Sequence, residues 1–220
     1  MIVLGLDTAL GACSAAVLAE GRPLAVRFEP MTRGHQERLA LLVRETMEAA
    51  GLPFSALDRI GVTVGPGSFT GLRVGLAFAK GLGLALGRPC VGVGTLEALA
   101  ASESGDGLTF AAIDARRGQV YLQAFSGGHA VMAPDVLPVE TAAARLAEFN
   151  PGPDTVIVGS GAPLLDGLVP GARLIAREAP DPVALARLAQ AKPPAPARPL
   201  YLRAPDAKLP GGIEPGAVRP

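Results

Sequence analysis

One unit occurs twice in this sequence: an apolar strand that closes on an aspartate and breaks into a turn. Met1-Ile2-Val3-Leu4-Gly5-Leu6-Asp7 runs into small residues from Thr8 to Ser14, and residues 109–114 end on Asp114 before Ala115-Arg116-Arg117-Gly118. A second unit repeats in step with it. One apolar strand ends at Val64 before Gly65-Pro66-Gly67, and another ends at Val158 before Gly159-Ser160-Gly161. Between these units each half carries further strand-like runs and a helix in the same order. A repeat at half the chain length marks a doubled lobe, whereas solenoids repeat every ~20–50 residues. The expected fold is α/β, with two lobes facing each other across a cleft.

In the first half, residues 14–20 and 24–28 continue the opening strand as an antiparallel meander. Leu39, Leu42, Val43, Thr46, Met47 and Ala50 recur at helical spacing, with Gly51 as the C-terminal stop. A strand at 60–64 leads through the glycine-rich turn into a long helix ending near Leu86. A strand at 90–93 and a helix at 96–101 follow. The polar stretch 102–107 is the internal boundary, dividing the chain into lobes 1–104 and 105–220. The second half predicts strands at 119–125, 129–132 and 155–158 and helices at 139–149 and 183–191. Eight prolines from Pro193 to Pro220 predict extended chain, with Tyr201-Leu202-Arg203 docked and the last ten residues mobile.

Composition excludes several functions. The chain is 49% apolar, enough to offset chain entropy, so it is not mostly disordered. Its 20 Lys plus Arg balance 20 Asp plus Glu, so bulk charge does not hold nucleic acid. Aromatic residues are 4% and Trp is absent, which argues against a stacking surface for single-stranded bases. Cys13 and Cys90 are too few for a disulfide framework or a zinc site, and a reducing, cytoplasmic setting is expected. No basic region precedes an apolar core at the start, so no signal peptide is expected. The apolar stretch 72–86 carries Arg73 and Lys80 and is shorter than the ~20 residues of a membrane span.

Three features carry candidate chemistry. Asp7, with Thr8, either holds a nucleotide phosphate through a metal ion or caps its own turn. Gly65, Gly67 and Ser68 form a strand-to-helix turn that either binds an anion at the helix N-terminus or serves as a tight turn with Ser68 as the N-cap. Gly67, Gly71, Gly75, Ala79 and Gly83 form a row of small residues along the long helix. Each interior glycine costs ~0.5–1 kcal/mol relative to alanine, so another backbone must approach closely there. The sheet of the same chain and a helix of another subunit both satisfy that requirement. His35 and His129 lack partners at metal-ligand spacing, and no Ser-His-Asp set or GxSxG elbow is present. Two functions stay open on the residues alone: a binding subunit, or an ATP-dependent phosphotransferase or ATPase using Asp7 and Asp114.

The run Gly65-Pro66-Gly67-Ser68-Phe69-Thr70-Gly71-Leu72-Arg73-Val74-Gly75, continuing through Ala79-Lys80-Gly81-Leu82 to Gly92-Val93, is highly specific. With Leu6-Asp7-Thr8-Ala9, Ala112-Ile113-Asp114-Ala115-Arg116, Gly118-Gln119-Val120-Tyr121 and Tyr201-Leu202-Arg203, it resembles the bacterial TsaB (YeaZ) family of tRNA threonylcarbamoyladenosine biosynthesis proteins. That family is the non-catalytic paralogue of the threonylcarbamoyltransferase TsaD. The resemblance implies two ribonuclease-H-like lobes of the sugar-kinase/heat-shock-protein/actin-like (ASKHA) fold.

The resemblance also implies a scaffold that pairs with TsaD through its first two helices and with itself when alone. The interface so implied comprises His35, Leu39 and Leu42 of the first helix and Gly71, Leu72, Gly75, Leu76, Ala79 and Gly83 of the second. The ATPase TsaE joins the complex. Its product is threonylcarbamoyladenosine at position 37 of tRNAs that read codons beginning with A. Thr95 and Leu99 stand where the catalytic paralogue has a His-x-x-x-His metal pair, and leucine does not ligate metal. The resemblance therefore implies no metal and no cofactor of the chain's own, with ATP or ADP and Mg in the assembled complex and no membrane association.

Overall fold

The computed structural model describes residues 1–103 and 105–203. Each half of the sequence builds one mixed sheet. The first has the order β3-β2-β1-β4-β5, from β1 (Ile2–Asp7), β2 (Ala12–Ala19), β3 (Arg22–Pro30), β4 (Arg59–Thr63) and β5 (Cys90–Val93). Strands β1 to β3 form the antiparallel meander, and β4 and β5 run parallel to β1.

The second sheet is built from β6 (Leu108–Arg116), β7 (Gln119–Ser126), β8 (His129–Ala130), β9 (Asp135–Pro138), β10 (Val156–Val158) and β11 (Arg173–Ile175). Read from its far edge its order is β8-β7-β6-β10-β11, with β9 also pairing β7. This is the path of the first sheet repeated, so the doubled aspartate unit does mark a doubled lobe.

Helices α1 (His35–Ala49) and α2 (Phe69–Leu86) cover one face of the first sheet, where Leu42, Met47 and Leu76 pack on Leu4, Leu6, Val17 and Val62. Helix α2 is 18 residues long and by length and composition reaches the range of a membrane span. Its buried face lies on this sheet, and Arg73 and Lys80 are exposed. The short α3 (Thr95–Ala101) sits between the lobes. Its Leu96 and Leu99 join Ala111, Ile113, Phe125 and Val158 of the second sheet.

The boundary at residue 104 separates the sheets but not the lobes. Helix α5 (Pro182–Ala191), beyond α4 (Val139–Ala147) in sequence, returns to the first lobe. It seats Leu185, Ala186 and Ala189 against Val3, Ala16, Leu18 and Val91. The first sheet has two apolar faces, and α1 and α2 cover only one. Glycine in the sheet makes the approach of α5 possible: a Cβ on Gly5 would lie 2.8 Å from Ala186 Cβ.

After α5 the chain is extended, as the prolines predict. Pro196 bridges Val91, the Leu200 amide donates to the Val64 carbonyl (2.7 Å), and the Arg203 guanidinium donates to the Ala115 carbonyl (2.9 Å) and to Gln119. This strap links the edge of the first sheet to the β6–β7 turn of the second. The last ten residues, expected to be mobile, lie outside the described residues.

Strands β9 and β11 are additions to the sequence expectation, and β8 stops at Ala130. The strand at β10 is followed by a 3-10 turn, Ala162–Leu165, where the first lobe has α2.

Candidate functional site

Three turns converge between the lobes: β1–β2, the strand-to-helix turn before α2, and β6–β7. They enclose a cleft of about 550 Å3 lined by Leu10, Gly11, Thr32, Gly67 and Ser68 from one side and Asp114, Arg116, Tyr121 and Ser160 from the other.

Asp7 does not reach this cleft. It is 0% exposed and lies beneath the floor. Its Oδ1 accepts from Thr63 Oγ1 (2.5 Å) and from the Ala9 amide (3.0 Å), while Oδ2 has no partner. Burial pushes its carboxyl above the ordinary range, opposed by the Thr63 and Ala9 hydrogen bonds and by the nearby His35.

Thr8 is also buried, and its hydroxyl donates to the Gly71 carbonyl (2.7 Å). The turn amides are used as well: Ser68 N donates to the Ala9 carbonyl (2.7 Å) and Gly71 N to Ser68 Oγ (3.2 Å). Gly65 lies under the strap, where a Cβ would sit 2.5 Å from the Leu200 carbonyl oxygen.

Of the five residues expected to hold phosphate, only Gly67 and Ser68 line the cleft. The set does not fit a magnesium-bound nucleotide, because its carboxylate is sealed away and the Thr8 hydroxyl and Ser68 amide already donate within the chain. Asp114 does line the cleft but holds its own turn. Its Oδ1 accepts from the Arg116 amide (2.7 Å), its Oδ2 pairs with the Arg116 guanidinium (3.0 Å), and its amide donates to Ser160 Oγ (3.2 Å). Of the two aspartates, only Asp114 therefore faces the cleft.

The row of small residues on α2 faces the same chain. A Cβ on Gly71 would collide with the Thr8 carbonyl oxygen, and one on Gly75 would lie 2.5 Å from Thr8 Oγ1. Ala79 and Gly83 are buried against the sheet side, and Leu39, Leu42, Leu72 and Leu76 are at most 5% exposed. These eight positions cannot form a subunit interface, since the chain's own β1–β2 turn and sheet occupy them. Only His35 of the expected interface is part-exposed, at the start of α1.

The outer face of the helix pair is different. Ala40, Leu41 and Arg44 of α1, Phe78 and Leu82 of α2, and Phe54 line an open groove of about 530 Å3. Beside it a second small row, Ala77, Gly81 and Ala85, is exposed, and a Cβ on Gly81 meets nothing within 4 Å. Leu84 is 87% exposed. The i, i+4 spacing of that row was present in the sequence, two positions out of step with the row that is buried.

Thr95 and Leu99 are both 0% exposed. Leu99 fills the apolar seam between the lobes, so its truncation opens a cavity. Leu99→Ala is expected to cost about 2–5 kcal/mol in urea or thermal unfolding; a loss under about 1 kcal/mol would contradict this packing. The two cysteines are free, and burial pushes the Cys13 thiol up to about 11, with Asp7 and Glu29 adding to the shift.

Two sheets of repeated path, packed through α3 and enclosing a cleft, define the ASKHA class of two-lobed α/β proteins. The same fold is seen at 17% identity and TM-score 0.52 in a hexokinase from Thermus thermophilus, covering 86% of this chain and 98% of that one. Much nearer is a solved structure, "YeaZ from Pseudomonas aeruginosa". It is 33% identical, covering 91% of this chain and 99% of that one, with TM-score 0.74.

Residues 29–150 match the family model "TsaD: tRNA N6-adenosine threonylcarbamoyltransferase". The tRNA threonylcarbamoyladenosine biosynthesis protein TsaB of Escherichia coli is 38% identical over 124 residues, 55% of this chain and 53% of that one. An uncharacterised protein of Mycobacterium tuberculosis is 37% identical over 210 residues, 94% of this chain and 93% of that one. The chain belongs to the TsaB/YeaZ family, within the wider TsaD family, and so to the biosynthesis of threonylcarbamoyladenosine in tRNA.

Proposed function

We propose that the chain is a non-catalytic scaffold subunit of the complex that makes threonylcarbamoyladenosine at position 37 of tRNA. It pairs with a TsaD-type catalytic subunit in the cytoplasm, is joined by the ATPase TsaE, and self-associates when alone. The observation that carries this reading is Leu99. Its hydrocarbon side chain lies wholly inside an apolar seam, at the position where the family resemblance puts a metal-binding histidine in the catalytic paralogue. Asp7 supports it from the other side, because a carboxylate sealed beneath the cleft floor does not serve a phosphotransferase. ATP or ADP with magnesium belongs to the assembled complex rather than to Asp7.

Pairing uses the outer face of α1 and α2. Leu41 at 40% and Leu84 at 87% exposure gain burial there, while Ala77, Gly81 and Ala85 let a partner helix approach closely. The test is the double variant Leu41→Asp/Leu84→Asp, titrated against the catalytic subunit by calorimetry. Burying a fully exposed apolar side chain is worth about 1.5–3 kcal/mol, and Leu41 is already more than half buried, so affinity is expected to fall at least about tenfold with an unchanged melting curve. Undiminished affinity would remove this face as the interface.

A further inference from the structure

We propose that the rim of the inter-lobe cleft is the surface by which this subunit touches the tRNA, at an unpaired stretch of the strand. The proposal rests on the tRNA-modification reading above and names a partner for a part of the molecule that the helix pairing leaves open.

Beside the cleft an arginine and two tilted rings meet, next in sequence to the cleft-lining Ser68. Arg73 places its guanidinium 3.7 Å from the centre of the Phe69 ring, and Tyr201, carried by the strap, lies against Phe69 with ring centres 5.2 Å apart. Two residues further on, Arg203 anchors the strap to the β6–β7 turn at Ala115. In that turn Arg116, Arg117 and Gly118 hold φ of 63°, 56° and 70°. That left-handed region disfavours residues with a β-carbon, and two successive arginines occupy it here. Asp114 holds Arg116 in this conformation through its backbone amide and guanidinium, yet the Arg116 side chain is 84% exposed. Arg33 is exposed next to Thr32 of the cleft wall. Among the described residues, the carboxylates that line the cleft are Asp114, already paired with Arg116, and Glu178.

Arginines around exposed aromatic faces suit single-stranded RNA: guanidinium groups meet phosphates and extend a stack, and rings receive unstacked bases. Tyr201 is 42% and Phe69 36% exposed. Nine aromatic residues are few for the whole chain, but two of them meet at this rim. The average composition therefore conceals two aromatic rings that meet beside the cleft with the Arg73 guanidinium over one of them.

The experiment compares the full chain with the variant Arg73→Gln/Arg116→Gln/Tyr201→Ala, in two arms. In direct binding of tRNA by the chain, the variant is expected to bind about tenfold more weakly, and the slope of log affinity on log salt to shrink by about 0.7 per arginine removed. In modification assays with the catalytic subunit, the variant is expected to raise KM for tRNA by about tenfold with kcat within about twofold. Equal tRNA affinity and salt slope in variant and wild type would overturn the proposal. So would weaker binding to the catalytic subunit with unchanged tRNA affinity and KM, which makes the rim a protein-docking surface. If the wild-type chain fails to support modification, the scaffold reading falls instead, and the direct-binding arm still decides the rim.

Discussion

Gly71→Val is expected to destabilise the fold by at least about 3 kcal/mol, whereas Gly81→Leu is expected to leave the fold intact and remove partner binding. Both residues lie in α2 and both belong to rows of small residues, but the rows face opposite ways. A Cβ on Gly71 collides with the Thr8 carbonyl, which is backbone and cannot turn aside. Helix α2 must then lift from the β1–β2 turn and expose Leu72 and Leu76, at ~1.5–3 kcal/mol each. Together these are ~3–6 kcal/mol before the strain of the collision itself, against a typical domain stability of ~5–15 kcal/mol. Gly81 faces open space, and replacing an exposed helical glycine gains ~0.5–1 kcal/mol of helix propensity. Circular-dichroism melting separates the two, and co-elution with the catalytic subunit reads the interface. A normal melt for Gly71→Val, or undiminished co-elution for Gly81→Leu, would contradict the assignment of the two rows.

Asp7→Asn is expected to stabilise the protein at neutral pH and leave its function unchanged. The Asp7 carboxyl is wholly buried with Oδ2 unpartnered, and burial raises its pKa above the ordinary aspartate value of 3.8. The native state therefore holds this proton more tightly than the unfolded state. Its stabilising effect is fully present below pH 3.8 and is lost as pH rises through the raised native value. Asparagine keeps an oxygen for Thr63 and Ala9 and carries no charge. The advantage of the variant should grow with pH from about 4, as Asp7 acquires the buried charge that asparagine lacks, and then level off above the raised native value. Denaturant titrations across pH 4 to 8 measure it. A variant that is less stable at pH 7, or whose advantage shrinks as pH rises, would contradict the buried reading of Asp7.

The doubled lobe was legible because strand endings and glycine turns are local signals, and they recur in step. Helices α1 and α2 were legible from apolar spacing and from Ser68 and Gly51 at their ends. Strands β9 and β11 are four and three residues long and lack an alternation to mark them. The return of α5 was hidden for a different reason: its apolar face shows that it needs a sheet, not which sheet. The small row on α2 showed that something approaches closely, but only the tertiary fold identifies that neighbour as Thr8. Asp7 was misplaced because its burial depends on Thr63, 56 positions away, and no local pattern reports that contact.

The central claim is that this chain supports catalysis without performing it. Its most direct measurement is modified adenosine formed on tRNA from an activated threonylcarbamoyl donor, with this chain alone, with the catalytic subunit alone, and with both together. The account predicts product only when the catalytic subunit is present, an increase when this chain joins it, the same increase with Asp7→Asn, and none with Leu41→Asp/Leu84→Asp. Modified tRNA formed by the purified chain on its own would contradict it.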